Sequence, residues 1–463
     1  MKYLESLNFF SLISKNIFSD SLIVSLIAFL VIGILLIFGR KINLAIKVER
    51  FGLPIAVICG LFGILIGPYG LFRLFTEENT QIWENSLTPL LSLVFASLML
   101  GRPVPNIKGL IKPILNQFLL ALSLGFGQFF VGGLVVKYFL EPSMHVNPLM
   151  SCLIEVGFEG GHGAASILGD SFNKLGFYQG LDLGLAMATM GLLSSSLLGC
   201  LFVFIGKILK FSNNEENYAI PKKIKNQFSL NLFDEFKSLI VNFGFVGLAI
   251  LIGMSLIKLI NYASIFFGDF SSNVIQSLPV FPLILIGSLL IRYILEKTGN
   301  VDYISQIFQR ELGVLSTDLL IFASMASLNL NIVFDNLKPI IFLTAFGLIW
   351  NIVCISIFSV FVFEEYWFEK GLAEFGNSTG VVASGLLLLR LADPKNISKT
   401  LPIFTSKQLF AQLLLSGGFF TVLAPFLLEK IGLSYWTEIC ALLTLLIIVI
   451  AITINKRSFN FSQ

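Results

Sequence analysis

Read for hydrophobic and polar positions, the chain is a series of apolar runs divided by short polar punctuation. Runs of about 18 or more mostly apolar residues are long enough to cross a bilayer as helices. Hydropathy predicts continuous spans at 21–39, 51–71, 87–101, 114–140 and 181–205. A second series follows at 239–260, 278–294, 314–333, 340–363 and 404–428, with a last apolar run at 435–454. The only sizeable polar connection, 207–238, is basic and includes NNEENYAIPKKIKNQ.

Two runs break the pattern. Segments 146–170 and 371–392 carry glycine and polar residues at their centres, GFEGGHG in the first and EFGNSTG in the second. At ~1.5 Å per residue each could cross as one helix. Interior glycines cost about 1 kcal/mol each against alanine, however, which favours two half-helices joined by an unwound tip. Charge on the connections separates crossing from returning, because cytoplasmic loops are rich in Lys and Arg. Arg40, Lys41, Lys47 and Arg50 put the first loop inside, and Glu77, Glu78 and Glu84 put the next outside. If 146–170 dips in and returns, the basic connection with Lys207, Lys210, Lys222, Lys223 and Lys225 also lies inside. A second dip at 371–392, entered from the opposite side, brings the C-terminal Lys456 and Arg457 inside too. The N-terminus is then outside and the C-terminus cytoplasmic.

Composition agrees with a polytopic membrane protein. Of 463 residues, 56% are hydrophobic and only 13% charged, against ~25% charged in soluble domains. The net charge of +3 adds little to the distribution already used. No nucleic-acid partner, HExxH, nucleophile elbow or Walker A loop is indicated, so the expectation is not an enzyme. The five cysteines are scattered in apolar segments and read as buried small hydrophobes. The start of the chain lacks a basic region followed by a small-residue cleavage site, so the first run is expected to remain as a span.

The pattern also repeats. GLPIAVICGLFGILIG at 52–67 echoes SLPVFPLILIGSLLI at 277–291, LVFAS at 93–97 echoes LIFAS at 320–324, and GAAS at 163–166 echoes VVAS at 381–384. Three echoes in the same order suggest a duplication. Five spans and one hairpin make an odd number of crossings, so the second copy runs inverted. The expected fold is therefore all-α, with two inverted repeats and an extra C-terminal span. Its parts are an extramembrane segment 1–20, a first repeat 21–206, a cytoplasmic linker 207–238, a second repeat 239–428 and the span 435–454. Inverted repeats with broken helices meeting near the midplane are the architecture of secondary transporters.

Gly160-Gly161-His162-Gly163 resembles the S-G-G-H-G-T core of the sodium/glutamate symporter family. LAMATMGLLSSSLLG at 185–199 is also similar to that family's pattern. Phe375-Gly376 through Ser384 resembles its G-F-G-x-G-x-T-P-T-A stretch more loosely. The resemblance runs from about Ser21 to Leu428. It implies a homodimer in the lipid bilayer of the cell membrane, no cofactor beyond Na⁺ as coupling ion, and sodium-driven uptake of glutamate by an elevator-like movement of the hairpins. Three departures stand out: Glu159 replaces a small hydroxyl residue, Ala164 replaces threonine, and Val381-Val382-Ala383 replaces Thr-Pro-Thr.

The expected substrate-binding residues are Gly160, Gly161, His162, Gly163, Gly376, Ser378, Thr379 and Arg390. Glycine lets backbone approach a ligand closely, half-helix N-termini favour anions, and arginine can clamp a carboxylate. Arg390 could equally snorkel from the segment's end. The expected ion-binding residues are Glu155, Glu159, Asn377, Ser378, Thr379 and, by the resemblance, Asp182. A carboxylate in the bilayer costs at least ~2.5 kcal/mol and implies a purpose, unless the tip sits in a wet vestibule. Glu155 and Glu159 share a face if helical. Hydroxyls and an amide oxygen suit Na⁺, or else cap the tip. His162 could meet a substrate or bond unwound carbonyls, His145 lies in a loop, and Asn351, Ser324 and Ser327 fit interhelical hydrogen bonds. Two alternatives to symport remain: Na⁺/H⁺ exchange, favoured by the two glutamates, and a non-transporting sensor, favoured by the missing Thr-Pro-Thr.

Overall fold

A computed structural model describes residues 55–70, 72–73, 77–103, 111–209, 211, 232–264 and 280–454, with isolated positions 30, 33, 34, 37 and 41. Nearly all of the expected span 21–39, the segment 1–20 and most of the linker 207–238 lie outside the described residues. Every regular element among the described residues is helical. In order they are α1 (Ile55–Ile66), α2 (Glu77–Leu100), α3 (Ile111–Val135), α4 (Leu153–Phe158), α5 (Gly161–Lys174) and α6 (Gly180–Ile208). The second half has α7 (Leu232–Ser264), α8 (Phe281–Thr298), α9 (Gln306–Ala326), α10 (Leu330–Asp335), α11 (Leu337–Val353) and α12 (Trp367–Ala392). It closes with α13 (Thr400–Leu414), α14 (Phe419–Ile431) and α15 (Leu433–Ile454). α3 and α11 each run on through one π turn, Val136–Leu140 and Cys354–Phe358. The protein is a polytopic membrane protein.

Two expected spans are interrupted. The run 314–333 is not one helix: α9 ends at Ala326 and Asn329 starts α10 by accepting from the Asn331 amide at 3.1 Å. Such local side-chain bonds compete with continued helix. The run 404–428 breaks at Ser416 (φ 58°) and Gly417 (φ 87°). Most other spans extend several residues beyond their hydropathy limits, α2 by ten at its start, because polar first turns can project past the apolar layer.

Packing divides the helices into two bodies. One core joins Cys59 of α1, Trp83 and Leu100 of α2, Val246 and Ala249 of α7, Phe281 and Ile284 of α8, and Phe322 and Ala323 of α9. A second joins α3, α4, α5, α6, α11, α14 and α15 through Phe129, Phe158, Phe172, Met187, Leu343, Ala424 and Trp436. The extra C-terminal helix α15 belongs to this second body. Its Trp436 meets Phe129 edge to face at 5.6 Å, and Thr437 sits where a Cβ on Gly133 would be. Between the bodies runs a thin apolar seam of Leu192, Ile321 and Met325, with Val381 against it.

Both anomalous segments fold back on themselves. Residues 144–150, ahead of α4, line one cavity together with residues 176–179, which follow α5. The segment thus leaves and returns on one side. α12 has the length and composition of a span, yet a Cβ on Gly376 would lie 2.6 Å from the Gly385 Cα. Nine residues of straight helix would separate those positions by ~13 Å. Its arms, 367–379 and 382–392, therefore lie side by side. α6 begins beside the root of the first hairpin, and Phe211, just past its end, packs on Trp367 and Phe368 at the root of the second. The roots of the two hairpins therefore lie at opposite ends of α6.

Candidate ion and substrate site

The two tips touch. α4 ends at Phe158, Glu159 and Gly160 carry the turn, and Gly161 starts α5 at φ 65°. The second tip is Gly380 (φ −145°, ψ 37°) and Val381 (φ 61°, ψ 175°). A Cβ on Gly161 would lie 2.4 Å from Val381 Cγ1, so glycine is needed there for both its φ and the contact. Val381 holds a conformation otherwise confined almost to glycine, a strain of about 1–3 kcal/mol that surrounding packing must enforce.

Behind the second tip lies a buried amide and hydroxyl network. Gln128 of α3 donates to the Ser378 carbonyl at 2.6 Å and to Asn351 Oδ1 at 3.0 Å. Asn351 of α11 donates to the Ser378 carbonyl at 3.2 Å and to Thr379 Oγ1 at 2.9 Å. Ser195 Oγ of α6 donates to the Gly376 carbonyl at 3.4 Å. Asn377 Oδ1 accepts from Gln408 of α13 at 2.8 Å, which leaves its Nδ2, among the described residues, without a partner. The network satisfies backbone that the unwound tip frees at membrane depth. It also gathers neutral oxygens suited to a hard monovalent cation.

The acids lie on the other side of the first tip. Glu155 Oε1 accepts from Thr421 Oγ1 at 2.7 Å and from the Ser416 amide at 3.1 Å. Glu159 Oε1 accepts from Ser416 Oγ at 3.3 Å. Both residues are fully buried, and the Oε2 atom of each, among the described residues, has no hydrogen-bond partner. The break between α13 and α14 supplies these contacts, so the interrupted span and the first hairpin meet at the two acids. His162 is buried, with Nε2 3.1 Å from Thr189 Oγ1, which ties it to α6.

A third buried acid was not expected from sequence. Glu374, in the first arm of α12, accepts from Lys407 Nζ at 2.9 Å and from Gln117 Nε2 at 2.9 Å. Glu374 and Lys407 are both wholly buried. Glu159 is near enough to interact electrostatically with each member of the pair. Among the described residues no group of three His, Cys, Asp or Glu side chains gathers as a metal site.

Four expected residues stand apart from this centre. Arg390 is exposed at the end of the returning arm of α12, because the hairpin carries it back towards the root. Asp182 accepts from the Asn329 amide at 2.8 Å. It therefore anchors the turn between α9 and α10. Gly376 is a packing glycine, pressed between the arms against Gly385. Gly163 faces Leu91 of α2, 3.0 Å from where its Cβ would be, and so lies on the seam between the bodies. Gly160, Gly161, His162, Ser378 and Thr379 are brought together at or beside the tips. Asn351, set down as an interhelical linker, makes that link directly to Ser378 and Thr379.

A sequence profile described as Sodium/glutamate symporter matches residues 21–367 of the chain. The chain belongs to the sodium/glutamate symporter family. As a member it is a Na⁺-coupled secondary transporter. The matched stretch includes the first tip and ends where α12 begins, so the second tip and Lys407 lie beyond it. No curated protein matches the chain. Among solved structures the chain is similar to the sodium proton antiporter MjNhaP1 from Methanocaldococcus jannaschii at pH 8. That likeness has 16% identity, a TM-score of 0.38, and coverage of 91% of this chain and 99% of that one.

Proposed function

We propose that this symporter carries L-glutamate, or a related small organic anion, inward together with Na⁺ across the cell membrane. The observation that carries the reading is the contact of two oppositely rooted hairpins at Gly161 and Val381. Tips that meet inside a membrane protein offer amide donors to an anion and free oxygens to a cation at one place. Glu155 and Glu159 hold Na⁺ on the side of the first hairpin, and Ser378 and Thr379 line the side of the second. His162 and the Gly160-Gly161 backbone face the anion.

Movement follows from the two bodies. The body with both hairpins slides as an elevator along the apolar seam at Leu192, Ile321 and Met325, and the smaller body stays fixed as the scaffold of a homodimer. A duplication with inversion underlies the design: the paired π turns and the paired tips are each separated by about 220 residues. The N-terminus is outside and the C-terminus cytoplasmic.

Purified protein in liposomes tests the reading through uptake of radiolabelled L-glutamate with and without an inward Na⁺ gradient. Uptake that requires Na⁺ is expected, and Glu159→Gln should abolish it in folded protein. Folded wild-type protein that takes up no glutamate under any gradient would refute that cargo and direct the search to other anions. A second reading, exchange of Na⁺ for H⁺, draws support from the open oxygens of Glu155 and Glu159. Proton movement driven by Na⁺ in the absence of any organic anion would favour it.

A further inference from the structure

The three buried carboxylates around the tips differ in what satisfies them. Glu155 and Glu159 each keep one oxygen that, among the described residues, meets no donor. Glu374 keeps none: Oε1 takes the Gln117 amide and Oε2 takes the Lys407 ammonium, each at 2.9 Å. Phe404, one turn before Lys407, places its ring centroid 4.9 Å from the ammonium and covers it further. The next rung, Gln408 to Asn377 Oδ1 at 2.8 Å, closes the same boundary between α13 and the first arm of α12. A carboxylate withdrawn from water needs a counter-charge and hydrogen bonds. At Glu374 the chain supplies both itself. At Glu155 and Glu159 the hydrogen bonds come from hydroxyl and amide donors only, and the cation that reaches Glu159 electrostatically, Lys407, is hydrogen-bonded to Glu374 instead.

We propose that Lys407 is a built-in cation that stands permanently at Glu374 in place of an exchangeable ion, so that the coupling ions bind only on the side of the first hairpin, at Glu155 and Glu159. The proposal rests on the sodium-coupled reading above. Two sequence features point to it together. Glu159 adds a carboxylate where the resembled family has a small hydroxyl residue, and Lys407 neutralises Glu374, the acid nearer the tip in the second hairpin, whose other buried acid, Glu369, lies at the root. The fixed pair then travels with the moving body as a neutral unit, and the two open acids alone set the ion demand of the cycle.

Direct binding of ²²Na⁺ to the purified full-length protein, in alkaline buffer where a bare carboxylate takes Na⁺ rather than a proton, tests this. Lys407→Met should bind one more Na⁺ per protomer than wild type, and its uptake should depend more steeply on Na⁺. Adding Glu374→Gln to it removes the bare acid and should return the count to that of wild type. A Lys407→Met protein that isolates only in high Na⁺, or only with Glu374→Gln, supports the proposal equally. An unchanged Na⁺ count in folded Lys407→Met overturns it, as does a variant recovered by neither Na⁺ nor Glu374→Gln. Wild-type protein that binds no Na⁺ refutes the sodium-coupled reading instead, and the difference between the variants still decides the role of Lys407.

Discussion

Gly161→Ala is the sharpest probe of the contact between the hairpins. The residue sits at φ 65°, where an L side chain costs about 1–2 kcal/mol. Its new Cβ would lie 2.4 Å from Val381 Cγ1, well inside the ~3.5–4.0 Å of an ordinary carbon contact. Val381 is β-branched and cannot swing away freely, so the overlap adds about 1–3 kcal/mol of overpacking. The total expected loss is about 2–5 kcal/mol. Removing Cγ1 by Val381→Ala leaves only the Val381 Cβ, at 3.8 Å, which is ordinary contact. In that background Gly161→Ala should cost only the backbone term of about 1–2 kcal/mol. A double-mutant cycle read by SDS-titrated unfolding in mixed micelles therefore yields a coupling of about 1–3 kcal/mol. Equal costs in the two backgrounds, within about 0.5 kcal/mol, would mean that the tips do not touch and would refute the site described above.

Two further substitutions separate the centre from its surroundings. Asn351→Ala removes the donor shared by the Ser378 carbonyl and Thr379 Oγ1 and should cost about 1–3 kcal/mol in the same unfolding titration; unaltered stability would mean that Asn351 does not hold the second tip. Arg390→Ala should change stability by less than about 0.5 kcal/mol, as exposed positions do, and leave the substrate KM unchanged; a KM raised tenfold or more would mean that Arg390 meets the substrate.

What the chain declares in sequence is what local composition encodes. Glycine pairs inside apolar runs announced both hairpins, since no helix of ordinary cost would carry GFEGGHG. Glu155 and Glu159 were visible because charge is rare at membrane depth, and spacing of four put them on one face. Asp182, named through the resemblance, and Arg390, near the end of a run, instead stand at a turn and at the surface. Such positions differ from a buried site only in which neighbour they meet. The Ser416-Gly417 break escaped notice because two glycines and a serine barely dent the hydropathy of a 32-residue apolar stretch. Lys407 escaped because its partner is 33 residues away on another helix, and a lysine in an apolar run reads equally as a snorkelling side chain.

That missed break changes how the site is understood. With 404–428 as one helix, Glu159 and Glu155 would face a wall of saturated backbone, and each would bear its burial unaided. Opening the helix at residues 415–418 turns the Ser416 amide and hydroxyl towards the two acids and lets Thr421 reach Glu155. Three interruptions, in α4–α5, in α12 and between α13 and α14, therefore converge on one volume. Each alone would leave backbone groups unpaired in a dry interior. Together the first and third give each acid partners for one oxygen, while α3 and α11 satisfy the second through Gln128 and Asn351. The two hairpins thus draw on different groups: the first on the break between α13 and α14, the second on α3, α11 and, through Lys407 and Gln408, the intact arm α13 of the same interrupted helix. The difference is the physical reason for expecting the exchangeable ions on one side alone. Hydroxyl groups and an opened backbone can turn to ligate an arriving cation, whereas the acid beside α13 has its fixed ammonium already.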